Sequence, residues 1–131
     1  MKMNKKGFTL VELLVVVSII GILAGIVLVS LNSGRERTRR ASLQSTLASI
    51  ITVANMCVND SGTIVAPDSA TDGGGNICSL ATEITEVWPG LTHITGVTYE
   101  YITTNDTTIS AGTGTTPIVT CTVATSSCVM N

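Results

Sequence analysis

The chain has 131 residues, of which 44% are hydrophobic, 3% aromatic and 12% charged, with a formal charge of −2. That length allows one small domain plus a separate segment. The charge leaves no footprint for nucleic acid, and a single histidine excludes a His-pair metal site. The aromatics are Phe8, Trp88, Tyr99 and Tyr101, so a globular part of about 70 residues can build only a thin core and must lean on something else.

The chain opens with a short basic stretch, MKMNKKG, carrying Lys2, Lys5 and Lys6. Residues 8–31 are then apolar, interrupted by Thr9, Glu12, Ser18 and Ser30. As a helix, Leu13 to Leu31 is ~28 Å long at ~1.5 Å per residue, close to the thickness of a hydrocarbon core. A secretory signal has a shorter apolar region with small residues after it; here the small residue, Gly7, comes before. Glu12 sits at the head of the apolar block, where a carboxylate is costly unless it has a partner or a task.

No proline follows until Pro67. Leu43, Leu47, Ile50, Ala54 and Cys57 recur at helical spacing, with Gln44, Ser45, Ser49, Thr52 and Asn55 on the other faces. One helix is therefore expected from about residue 8 to about residue 60. Its first half is apolar all round and its second half amphipathic, with Gly62 as a stop. Residues 61–92 read as loop, punctuated by GGG and WPG. Residues 93–104 read as a strand, because Val97, Tyr99 and Tyr101 alternate with Thr98, Glu100 and Ile102. NDTTIS and TPIVTCTVAT supply two more. The expected fold is α+β: a three-stranded antiparallel sheet laid on the amphipathic half of the helix.

Cys57, Cys78, Cys121 and Cys128 show no Cys-x-x-Cys spacing. Four cysteines in a small, core-poor domain beyond an apolar segment point to two disulfides and an oxidising compartment. Cys57 with Cys78, and Cys121 with Cys128 closing a C-terminal loop, is the simplest pairing; the other two stay open. Asp60, Asp68, Asp72 and Asn76 do not match an EF-hand and read as a polar surface loop. His93 and Trp88 read as turn or packing residues. No metal, cofactor or catalytic residue is expected: no nucleophile–base set, metal cluster or phosphate loop supports a membrane-anchored enzyme.

At KGFTLVELLVVVSIIGILAG the chain resembles type IV pilins and the related pseudopilins, through Gly7, Phe8, Thr9, Leu10, Glu12 and the apolar run after them. The resemblance is strong over about residues 5–31; beyond, only a long helix, a sheet and C-terminal cysteines agree. It implies four parts: a cleaved leader at 1–7, a membrane and assembly half of the helix at 8–31, an amphipathic half at 32–60, and a loop plus sheet at 61–131. It implies cleavage between Gly7 and Phe8 by a membrane-embedded prepilin peptidase on the cytoplasmic face, with N-methylation of Phe8. It places the chain in the cytoplasmic membrane, C-terminus outside, and then in a homo-oligomeric extracellular filament built by an assembly ATPase and a platform membrane protein. Glu12 would meet the N-terminal amine of a neighbouring subunit and set the stagger between greasy helices. Thr9, Gly21 and Gly25 join it as assembly positions; the G-x-x-x-G spacing lets helices approach closely.

Two features stand apart. The proline frequent near residues 27–29 of many major pilins is absent, so any local melting of the helix there would rest on Gly21 and Gly25. Arg35, Arg37, Arg39 and Arg40 lie just beyond the span, against the positive-inside tendency. They are read as a solvated or subunit-facing surface, with DNA contact unsupported. The role implied is a type IV pilus-like filament subunit serving adhesion, twitching motility or DNA uptake. The alternatives are a type II secretion pseudopilin and a minor pilin.

Overall fold

The computed structural model describes residues 7–80 and 82–131. Its elements in chain order are helix α1 (Leu10–Asn59) and strands β1 (Glu100–Thr104), β2 (Thr108–Thr113), β3 (Thr116–Thr122) and β4 (Ser127–Met130). The chain divides into two units, residues 1–36 and 37–131. The basic leader Lys2, Lys5 and Lys6 lies outside the described residues.

In the first unit α1 packs on nothing among the described residues. Every large apolar side chain from Phe8 to Leu31 is at least 48% exposed, and the helix contains a window long and apolar enough to cross a membrane. A helix apolar all round is stable only when lipid or other chains cover it.

The second unit is an α+β body. The stripe read from spacing, Leu43, Leu47, Ile50, Ala54 and Cys57, is at most 2% exposed, and Ile51 joins it. All of these but Cys57 share one core with Tyr99 and Tyr101 near or in β1, Ile109 and Ala111 in β2, and Val119 and Cys121 in β3; Cys57 packs in a separate cluster with Cys78 and Ile84. The polar faces also contribute. Asn55 Nδ2 donates to Val123 O at 2.6 Å, a carbonyl that also accepts from Ser126 N–H, and Gln44 Nε2 donates to Cys128 O at 3.4 Å, so two helix side chains bond to the β3–β4 hairpin.

The sheet has four strands, not three, all antiparallel in the order β1-β2-β3-β4. The fourth, β4, follows a tight turn and pairs Cys128 directly opposite Cys121. The expected strand over 93–104 is also corrected: only Glu100–Thr104 is strand. Its partner β2 spans six residues and pairs back no further than Glu100 opposite Gly112. Residues before Glu100 have no strand to join and instead pin themselves through Ile94 and Tyr99 in the core.

The helix stop is a Schellman arrangement. Ser61 N–H donates to Val58 O at 3.1 Å and Gly62 N–H to Cys57 O at 2.8 Å. The left-handed residue is Ser61, at φ 65°, not the expected Gly62. Gly62 is needed for a different reason: a Cβ there would lie 2.8 Å from both Cys57 Sγ and Cys78 Sγ. Among the described residues of 63–99 the only strand-like pairing is isolated bridges, Ile64 to Cys78, Ser69 to Gly73 and Asn76 to Val87. What holds them is anchoring: Ile77, Trp88 and Leu91 in the core, Trp88 Nε1 donating to Val65 O at 2.8 Å, and a disulfide.

Candidate processing and assembly segment

The segment around Glu12 is ordered by a capping box. Residues 7–9 are not helical and α1 begins at Leu10. Thr9 N–H donates to Glu12 Oε2 at 2.9 Å, and Thr9 Oγ1–H donates to the same oxygen at 2.7 Å. Glu12 N–H lies 3.3 Å from Thr9 Oγ1. Thr-x-x-Glu ahead of an apolar run is a sequence signature of this cap. It was legible in TLVE, and it gives Thr9 a physical role that the family resemblance alone did not. Glu12 also sits in the first turn of the helix, where negative charge opposes the macrodipole favourably. The carboxylate is exposed, so one oxygen serves the cap while the group as a whole stays open to a second partner.

Gly7 is exposed, and a side chain there, or at Gly21 or Gly25, would meet nothing within 4 Å. Among the described residues nothing packs against position 21 or 25 closely enough to require glycine. Ser18 Oγ donates to Leu14 O at 2.8 Å and Ser33 Oγ to Ser30 O at 3.1 Å. These bonds within the helix keep two hydroxyls satisfied without water.

Cys57 is bonded to Cys78 and Cys121 to Cys128; no cysteine is free. The first bond ties the end of α1 to the irregular segment, with Ile84 and Leu80 packed on it. The second closes the β3–β4 hairpin. Trp88 is buried and meets Tyr101 edge-on, ring centroids 4.9 Å apart. Tyr101 O–H donates to Pro89 O at 2.8 Å, and burial raises its phenol above the usual value. His93 is exposed, its Nδ1 2.8 Å from Gly90 O. Asp68 lies over Gly74 and Gly75, and Asp72 takes hydrogen bonds from Ser69 and Thr71. Thus Thr9 and Glu12 come together, the cysteines pair, and Asp72 and His93 bond within their own loops.

Residues 2–28 match a family model described as the prokaryotic N-terminal methylation motif. No curated protein and no solved structure matches the chain. The match covers Gly7, Phe8, Thr9, Glu12, Gly21 and Gly25 and ends before the second unit, whose helix-and-sheet body stands on its own evidence. The chain carries the signature of the type IV pilins and pseudopilins, on an apolar N-terminal helix that continues into a disulfide-bonded α+β domain.

Proposed function

We propose that this chain is a structural subunit of a type IV pilus-like filament, held in the cytoplasmic membrane until its leader is cut between Gly7 and Phe8. The observation that carries the reading is the pairing of the methylation motif with a helix whose large apolar side chains, from Phe8 to Leu31, are all exposed. That surface fits lipid before assembly and other copies afterwards. The capped Glu12 at its head fits a register role. Once cleaved, Phe8 presents a cationic amine, and a carboxylate in apolar surroundings is tolerated far better with a cation beside it than alone. A pair made between neighbours favours one stagger over other slides of one apolar helix along another.

Processing by a prepilin peptidase, methylation of Phe8, and dependence on an assembly ATPase and platform protein follow from the same reading, as do the roles of Thr9, Gly21 and Gly25. A pseudopilin of a type II secretion system shares every one of these features. The pilus is preferred for its two disulfides. Immunolabelling of surface-sheared material by electron microscopy tests the proposal. Labelled filaments that vanish on deletion of the gene support it; a chain confined to membranes in cells that lose protein secretion on deletion supports the pseudopilin.

A further inference from the structure

Two Asn-x-Ser/Thr tripeptides lie in the second unit, Asn59-Asp60-Ser61 and Asn105-Asp106-Thr107. That pattern is the acceptor for sugar on an asparagine amide, and the structure treats the two differently. Asn105, Asp106 and Thr107 are exposed at the turn between β1 and β2. The turn is held on both flanks: Asp106 Oδ1 accepts from Ile64 N–H at 2.6 Å, and Thr107 O accepts from Val123 N–H at 2.9 Å.

Asn105 Oδ1 accepts four hydrogen bonds: from Thr107 N–H at 3.0 Å, Thr107 Oγ1–H at 2.8 Å, Thr108 N–H at 2.7 Å and Thr108 Oγ1–H at 3.2 Å. Two backbone donors on one atom identify it as the oxygen, which puts Nδ2 on the other side of the amide. Among the described residues Nδ2 makes no hydrogen bond. An amide nitrogen is a poor nucleophile because its lone pair is shared with the carbonyl. It becomes reactive on losing a proton, and the charge that then develops rests largely on the oxygen. Donors already aimed at that oxygen stabilise the charge without reorganisation. Asn59 lacks this arrangement. It is the last residue of α1, its Nδ2 is engaged by Asn55 Oδ1 at 2.7 Å, and among the described residues no hydrogen bond joins it to the Ser61 hydroxyl.

We propose that Asn105 is an N-glycosylation site and that Asn59 is not. The donor is a glycosyl pyrophosphate. In the transfer Nδ2 gives a proton to a base of the transferase and bonds to the sugar's anomeric carbon. The anomeric C–O bond breaks, and the pyrophosphate carrier leaves with the electron pair; nothing is oxidised or reduced. The carrier is a membrane lipid or a nucleotide, and the chemistry at Asn105 is the same for both. Thr107 is a positioning residue, acting through the Asn105 oxygen. The inference stands on this turn and does not rest on the filament reading.

Glutamate-specific cleavage of the full-length chain recovered from its own cells puts the two asparagines on separate peptides, since Asn59 lies between Glu36 and Glu83 and Asn105 lies beyond Glu100. Electron-transfer fragmentation of the reduced peptides then locates any added sugar. A glycan is expected on Asn105 and none on Asn59, with complete loss in N105Q and no change in N59Q. T107A should lower occupancy several-fold, and T107S should restore most of it, because serine returns the hydroxyl. Tunicamycin, which blocks the loading of sugar phosphate onto membrane lipid, separates the two carriers: loss of the glycan assigns the lipid, and retention assigns the nucleotide. An unmodified Asn105, sugar confined to serine or threonine, equal occupancy at Asn59, or undiminished occupancy in T107A overturns the inference. Sugar on Asn105 of a chain that forms no filaments would keep it and remove the filament reading.

Discussion

The two disulfides should not be equal, and the structure says which matters more. The chain-entropy relation gives about 3.3 kcal/mol for a closed loop of ~21 residues and about 2.4 kcal/mol for one of ~7. Cys57 and Cys78 are separated by 21 positions, Cys121 and Cys128 by 7. The difference widens on inspection of what each bond holds. Cys121 and Cys128 face each other in a ladder whose backbone bonds hold the hairpin anyway. Cys57–Cys78 anchors residues 63–99, whose described residues form no strand or helix and depend on a few buried anchors and isolated bridges. C57A/C78A should therefore destabilise the second unit by about 3 kcal/mol, against about 2 kcal/mol for C121A/C128A. A small domain has about 5–15 kcal/mol in total. Chemical denaturation of the full chain in detergent, followed by Trp88 fluorescence, measures both. Limited proteolysis should cut the 63–99 segment of C57A/C78A first. If C121A/C128A proved the more damaging, or C57A/C78A cost under about 1 kcal/mol, the claim that this segment is held by its anchor would be wrong.

Other perturbations test other links. Co-expressed with wild type, E12A should be nearly excluded from filaments, whereas T9V, which spares the carboxylate and removes only a cap hydroxyl, should enter at a reduced level; equal entry of both with wild type would remove the register role. L47A empties a position with no exposure and should cost about 2–5 kcal/mol in the same unfolding assay. G62A should destabilise by about 1–3 kcal/mol, because its methyl meets both sulfurs of the first disulfide and a packed site must shift to admit it. Tyr101 holds its proton more tightly folded than unfolded, so above its ordinary value of 10.0 the unfolded chain binds fewer protons and stability should fall as pH rises. Y101F should abolish that alkaline decline, and an unchanged profile would put its cause elsewhere.

The helical half of this fold was legible because its signal is periodic. Leu43, Leu47, Ile50, Ala54 and Cys57 could form one stripe only on a helix, and all five are buried. The sheet was read less well because a strand is defined by its partner. HITGV has strand composition but sits beyond the reach of β2, so only Glu100–Thr104 pairs. SCVM is too short to announce itself; its register follows from Cys128 lying opposite Cys121. The end of α1 shows a similar substitution of causes. Gly62 was identified as a stop by its conformational freedom, yet Ser61 takes the left-handed position and Gly62 makes room for sulfur. In the candidate segment, the Thr9–Glu12 cap was present as Thr-x-x-Glu.

The central claim is that the leader is removed and the exposed apolar helix then polymerises. Intact mass of the protein in surface-sheared material, with and without reduction, tests it most directly. The account predicts a chain beginning at Phe8 with one added methyl group, gaining four hydrogens on reduction as both disulfides open. A chain still beginning at Met1, recovered only from membranes, would contradict it and leave Glu12 without a cation to meet.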